Sequence, residues 1–310
     1  MKQTAKPKLS PSGQQQLSQY ETYLTTMLDL QANTRRNYVG DVHLFIGWYE
    51  QGGMNSAESV SFALDSIGTT MITRYRDYLQ NELRRKPNTI NRYLISIKRF
   101  FAWATDEELI LRDPTRPVKL VDQVVKPPRH LSDQEEAALV SAVTHHGNIR
   151  DLALITVMLH TGLRVNEICN LQWEHVISHK RSGHLKVWGK RNKYREVPLN
   201  ATARQILHQL KQETGSKTET KAFLFVSQRT RTKLTTRGLG FLVAKYADRA
   251  QITSLRPHDL RHRFGYRMAE QVPLHRLAQI MGHDSLDTTM LYVRGTSQDL
   301  QRAVETIAWQ

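Results

Sequence analysis

Residues 281–292 read Met-Gly-His-Asp-Ser-Leu-Asp-Thr-Thr-Met-Leu-Tyr, and residues 257–262 read Pro-His-Asp-Leu-Arg-His. Further upstream, residues 161–167 read Thr-Gly-Leu-Arg-Val-Asn-Glu. Each segment has a legible local structure. Pro257 suits the first turn of a helix, where its missing N–H is no loss. His258 and Arg261, three apart, then share a helix face. Leu274, Leu277, Ile280 and Met281 have helical spacing; Gly282 ends that helix and presents His283 in a turn. Arg164 follows Thr161-Gly162 at a helix–helix junction. Two arginines, two histidines and Tyr292 thus sit on helices and helix ends.

The rest of the chain fits a mainly α fold with a small β-sheet. Residues 1–13 are polar, carry two prolines and a glycine, and read as a disordered tail. Residues 14–111 show helical stripes. Thr34 is placed to cap a helix carrying Tyr38, Val42, Phe45, Ile46 and Tyr49. Further stripes are Ile72, Tyr75, Leu79 and Leu83, then Ile90, Tyr93, Leu94, Ile97, Phe101 and Ala104. Four helices joined by short turns predict a helical bundle, with its aromatics in the core. Pro114, Pro117, Pro127 and Pro128 mark residues 112–130 as an extended linker. Ser132-Asp133-Gln134-Glu135 opens a second, α+β domain (131–296) with a capping-box pattern. Residues 185–188 and 196–199 read as strands around the basic hairpin Gly189-Lys190-Arg191-Asn192-Lys193. Residues 223–226 read as another short strand.

Charge narrows the partner. The 310 residues carry a net charge of +15: +5 in residues 1–130 and +10 in the remainder. A basic surface spread over two domains suits a long polyanion, and nucleic acid comes first. In the N-terminal domain Arg35, Arg36, Arg74, Arg84, Arg85, Lys86, Arg92, Lys98 and Arg99 lie off the apolar stripes and read as a solvated or phosphate-tracking face, with Arg35, Arg36, Arg92, Lys98 and Arg99 the first candidates for DNA contact. Cys169 is the single cysteine, which excludes an intrachain disulfide and a cysteine-based zinc site. No apolar run approaches the ~20 residues of a membrane span. The basic N-terminus lacks the apolar stretch of a signal peptide, so the expected location is cytoplasmic, at the nucleoid in a bacterium.

The residues at the end of the chain suit a phosphodiester. Attack by an oxygen nucleophile builds negative charge on the non-bridging oxygens, and catalysis needs donors aimed there. Arginine binds two oxygens at once and stays charged. A phenol has a pKa near ~10, so roughly one part in a thousand is ionised at neutral pH. Two guanidiniums and a base beside Tyr292 are expected to close much of that gap.

In order and spacing these motifs resemble the tyrosine recombinases, the phage-integrase and Xer-type family. The resemblance spans nearly the whole chain and is strongest over residues 159–295. It implies a helical core-binding, SAM-like DNA-binding domain followed by a catalytic domain. It also implies that Tyr292 is the nucleophile and becomes a 3′-phosphotyrosine. Arg164 and Arg261 would clamp the phosphate, Lys190 would protonate the 5′-hydroxyl leaving group, His258 would assist proton transfer at the tyrosine, and His283 would donate a hydrogen bond to the phosphate. The implied partners are double-stranded DNA with a specific recombination site and three further copies of the chain, in a tetramer that passes through a Holliday junction. Accessory DNA-bending proteins are compatible with this. No cofactor or metal is implied, because the covalent intermediate stores the bond energy.

The chain departs from the family pattern in places. Arg191 stands where a second glycine is common, so Lys193 competes with Lys190 for the acid role; with Arg191 it is also a candidate DNA contact. Arg263 stands where a small hydroxyl residue is usual and adds charge beside the pocket, where it is expected to touch a phosphate. Glu167 matches the family's acidic partner to Arg164. After residue 295, Leu300, Val304, Ile307 and Ala308 have helical spacing. This 297–310 helix either packs on its own domain or docks into a neighbouring protomer, as such tails do in the family. A type IB topoisomerase or a non-catalytic DNA-binding protein on the same fold are the rival readings.

Overall fold

The structure is a computed structural model that describes residues 6–53, 60–123, 128–189, 194–215, 220–292 and 304–305. The chain divides into two compact units, residues 1–125 and 126–310.

The first unit is built on helices α1 (Pro11–Thr26), α2 (Ala32–Glu50), α3 (Thr69–Asp77) and α4 (Pro87–Asp106). The chain is anchored before residue 14. Ser10 caps α1, and its backbone N–H donates to buried Glu50, 2.8 Å away. Helix α1 therefore starts at Pro11, in the stretch expected to be a tail. Helix α2 starts at Ala32, with Thr34 inside its first turn rather than at the cap. Helix α3 runs on as a π-helical turn, Tyr78–Glu82, which leaves Leu83 of the third stripe partly exposed. Tyr20, Phe45, Phe62, Tyr75, Phe100, Phe101 and Trp103 fill the core, with edge-to-face pairs such as Phe45–Tyr75 at 5.1 Å. Buried Asp41 ties α2 to α4 by accepting from Ser96 (2.8 Å) and pairing with Arg92 (2.9 Å). The first half of the proline-rich stretch lies on this unit: Val118 is buried in its core, and Asn91 exchanges two 2.8 Å hydrogen bonds with the Val121 backbone.

The second unit opens with α5 (Asp133–His146), started by the Ser132–Glu135 capping box. Helices α6 (Ile149–Thr161) and α7 (Val165–Cys169) follow. A three-stranded antiparallel sheet comes next, in the order β1 (Val176–Ser178), β2 (Gly183–Trp188), β3 (Tyr194–Pro198). Leu185 pairs with Val176 on one side and Val197 on the other. Strand β1 was not foreseen, and residues 223–226 form isolated bridges, Gln172–Phe223 and Val226–Lys233, instead of a strand. The fold ends in α8 (Ala201–Thr214), α9 (Thr236–Arg249), α10 (Pro257–Ala269), α11 (Leu274–Met281) and α12 (Leu286–Met290). Helix α6 is the axis of this unit, with Ala153, Leu154, Ile155 and Val157 wholly buried and α8 and α10 packed against it. That packing brings the end of α6 beside α10, where the polar cluster lies.

Candidate active site

Two glycines set the frame. Gly162 ends α6 in the left-handed region (φ 60°), and a Cβ there would lie 2.3 Å from the Phe264 ring. Gly282 ends α11 in the same way (φ 66°) and would press a Cβ onto Arg195 at 2.8 Å. Both turns need glycine for backbone and for space. Each is followed by a candidate site residue: Arg164 after the first, His283 after the second.

Arg164 caps α7. Its N–H donates to Glu167 Oε2 (2.8 Å), and its guanidinium donates to Glu167 Oε1 (3.1 Å) and the Gly282 carbonyl (2.6 Å). Glu167 is buried and also takes a two-pronged bond from Arg195, both arms 2.9 Å. Burial works against its charge, yet Arg195 and then Arg164 hold the carboxyl below its usual range. Arg195 donates as well to the Ile280 carbonyl (3.0 Å). Strand β3 and the end of α11 are thus fixed to the same carboxylate as Arg164. The role expected for Glu167 is present, with Arg195 as a partner that the sequence reading missed.

Arg261 is 3% exposed and joins three segments. It donates to the Gly162 carbonyl (2.5 Å), to the Met281 carbonyl (2.9 Å) and to His283 Nε2 (2.8 Å). Burial, and then nearby Arg164, lowers its pKa to about 10, so it stays charged at neutral pH. A guanidinium can only donate, so His283 Nε2 accepts. The ring hydrogen is then on Nδ1, which faces Thr289 Oγ1 at 2.7 Å. Burial and the charges of Arg261 and Arg164 push His283 down to about 4, so the ring is neutral. As it stands, His283 orients Arg261 and does not donate toward a phosphate from Nε2.

Tyr292 is 8% exposed, and its ring lies parallel to His283 with centroids 6.2 Å apart. Its edge partner is Tyr266, at 5.3 Å. Gly265 lets α10 approach the ring: a Cβ there would be 2.6 Å from two ring carbons. The group on the phenol oxygen is His262, whose Nδ1 is 3.0 Å away. His258, expected at the tyrosine, is exposed and packs edge-on against the His262 ring, centroids 4.5 Å apart. The electrostatic expectation for the phenol is also corrected. Burial raises the Tyr292 pKa above its ordinary value, outweighing Arg261 and Arg164.

Arg263 is in a different place from the one expected. It is 4% exposed, points away from the cluster, and is bound by Glu136 (2.5 Å) and Asp133 of α5. Its charge is used inside the protein. On the first unit, Arg92 pairs with Asp41, and Lys98 donates to the Thr115 carbonyl (2.6 Å). Arg36 and Arg99 are exposed and Arg35 is half-buried; Arg99 lies 5.5 Å over the Tyr38 ring. Arg36 and Arg92 line an open groove with Arg74 and Arg85, two more of the basic residues that lie off the apolar stripes. Lys190, Arg191 and Lys193 lie outside the described residues, as does nearly all of the 297–310 tail.

Residues 129–299 match the model of the phage integrase family, and residues 17–108 match that of the phage integrase N-terminal SAM-like domain. The chain is 30% identical to tyrosine recombinase XerD of Ralstonia nicotianae, with 94% of each covered. It is 32% identical to tyrosine recombinase XerD of Pseudomonas aeruginosa, over 86% of this chain and 89% of that one. Among solved structures, the XerH site-specific recombinase in a post-cleavage complex superimposes with a TM-score of 0.72 at 21% identity, over 93% of this chain and 84% of that one. The Tn1549 transposon integrase bound to transposon right end DNA gives 0.73 at 18% identity, over 95% and 99%. These last two speak for the fold. With the family models covering both units and relatives matched nearly end to end, the chain belongs to the phage integrase family, the tyrosine recombinases.

Proposed function

We propose that this recombinase binds double-stranded DNA at a specific site and exchanges strands there through a 3′-phosphotyrosine on Tyr292. The observation that carries this reading is the wiring of the cluster. Arg164 and Arg261 grip neighbouring carbonyls, Gly282 and Met281, and Arg261 touches His283, which stacks on Tyr292. A phosphodiester at this rim meets two guanidiniums beside one phenol. Tyr292 Oη attacks phosphorus, the P–O5′ bond breaks, and the arginines neutralise the charge that builds on the non-bridging oxygens. Lys190 or Lys193 gives the leaving 5′-oxygen its proton. As the phosphate draws Arg261 off His283 Nε2, that nitrogen takes a proton from solvent, favoured by the phosphate's charge, and donates to the phosphate. A 5′-hydroxyl from the partner strand reverses the step and releases Tyr292. Four copies on two sites exchange one strand pair at a time through a Holliday junction, with the 297–310 tail docked on a neighbour.

A duplex library incubated with the wild-type chain yields covalent adducts whose sequenced DNA gives the site. A plasmid carrying two copies of that site is recombined by the wild type and left intact by Tyr292→Phe. Relaxation of the plasmid without recombination would favour the topoisomerase reading instead.

A further inference from the structure

His262 takes no part in the roles implied by the family resemblance, yet it is the residue on the reacting atom. Its Nδ1 is 3.0 Å from Tyr292 Oη. Among the described residues it is the one hydrogen-bond partner of that phenol, which is nearly sealed from water. A buried O–H needs an acceptor, so Nδ1 is bare and the ring hydrogen is on Nε2. His258 meets the His262 ring edge-on at an interplanar angle of 83°, which holds its plane toward Tyr292. Gly265, one turn along α10 from Arg261, lets the phenol ring lie against the same helix.

Resting on the proposal that Tyr292 is the nucleophile, we infer that His262 is the general base of cleavage and the general acid of rejoining. As the Oη–P bond forms, the phenolic proton passes to Nδ1 while P–O5′ breaks and the leaving oxygen is protonated separately. In the reverse step the imidazolium returns the proton to Oη as the incoming 5′-hydroxyl displaces it. Transfer from the resting phenol to a neutral, half-buried imidazole is uphill. It becomes favourable along the reaction, because an oxygen bonded to phosphorus loses its affinity for the proton. The arriving phosphate's negative charge also favours an imidazolium beside it. His258 is then a positioning residue, acting through the His262 ring.

The test uses full-length protein and the duplex recovered from its own covalent adducts, nicked so that cleavage is irreversible. His262→Asn keeps a polar partner for the phenol but cannot take its proton. Its cleavage rate should fall on the order of 10²- to 10³-fold, with DNA binding by gel shift unchanged. Installing a fluorinated tyrosine at position 292, which ionises without help, should restore most of that loss. A 5′-bridging phosphorothioate, which relieves only the leaving group, should not. His258→Asn should lose less than His262→Asn. Cleavage by His262→Asn within about threefold of wild type, or a loss that fluorination leaves untouched, would overturn the inference. A second measurement needs no variant: ¹⁵N shifts of labelled wild-type protein should show His262 with its hydrogen on Nε2, and a hydrogen on Nδ1 would overturn it. Absence of any wild-type adduct would instead remove the underlying function, a distinct outcome.

Discussion

Helix α10 has two working faces, and they carry similar residues to opposite ends. His258, Arg261, His262 and Gly265 follow the spacing of one face, and they meet the phenol, the ends of α6 and α11, and each other. Arg263 and Arg267, four apart, follow another and both bind Glu136 of α5. Arg261 and Arg263 are each almost completely buried. One takes carbonyls and a neutral histidine and so keeps an uncompensated positive charge; the other is matched by carboxylates. Of these two buried arginines, only the one without a carboxylate partner has charge left over for a phosphate.

The largest break in this comparison comes from the site face. In the proposed reaction Arg261→Ala removes a donor on the developing charge, and single-turnover cleavage should fall on the order of 10²- to 10³-fold. Gly265→Ala should come next. Its Cβ would displace the Tyr292 ring, and a misplacement of about 1 Å costs on the order of 10²-fold. DNA binding by this variant should match wild type, which separates a displaced nucleophile from a lost surface.

Arg263→Ala should do the reverse. Stability should drop by about 2 kcal/mol, since Glu136 keeps Arg267 as a partner, and thermal melting would show it. Cleavage per folded molecule should stay within a few-fold of wild type. A loss as deep as that of Arg261→Ala would dissolve the distinction between the faces.

A further expected effect, on stability and not on cleavage, is in its pH dependence. His262 and His283 are both held down to about 4, in each case by burial first and then by neighbouring positive charge. The unfolded chain therefore binds more protons than the folded one between that value and the ordinary ~6.5. Stability should be full above that range and fall as pH drops through it. His262→Gln should flatten the slope in a series of thermal melts.

Much of the site was legible because helical spacing carries it. His258 and Arg261 share a face by a gap of three, and the turns before Arg164 and His283 are announced by glycines whose left-handed backbone the structure shows. The N-terminal bundle was legible for the same reason, its stripes, Leu83 apart, becoming its core. His262 was overlooked although it lies four residues from His258, a spacing that places both on one side. Arg263 was misread because its partners are 127 and 130 residues upstream, beyond any local pattern. Arg195 escaped likewise: its bond to Glu167 spans 28 residues and a sheet. The start of α1 was missed because Glu50, its anchor, lies 40 residues beyond Ser10. Local periodicity reports which face a residue occupies; the identity of the group opposite it comes only with the tertiary packing.

The most direct test of the central claim is to locate the covalent bond. Wild-type protein is incubated with its captured duplex, the adduct is digested with protease and nuclease, and the nucleotide-bearing peptide is sequenced by mass spectrometry. A single peptide with a 3′-phosphoryl nucleotide on Tyr292 is expected, absent from Tyr292→Phe. A nucleotide on any other residue, or an adduct that survives Tyr292→Phe, would contradict it.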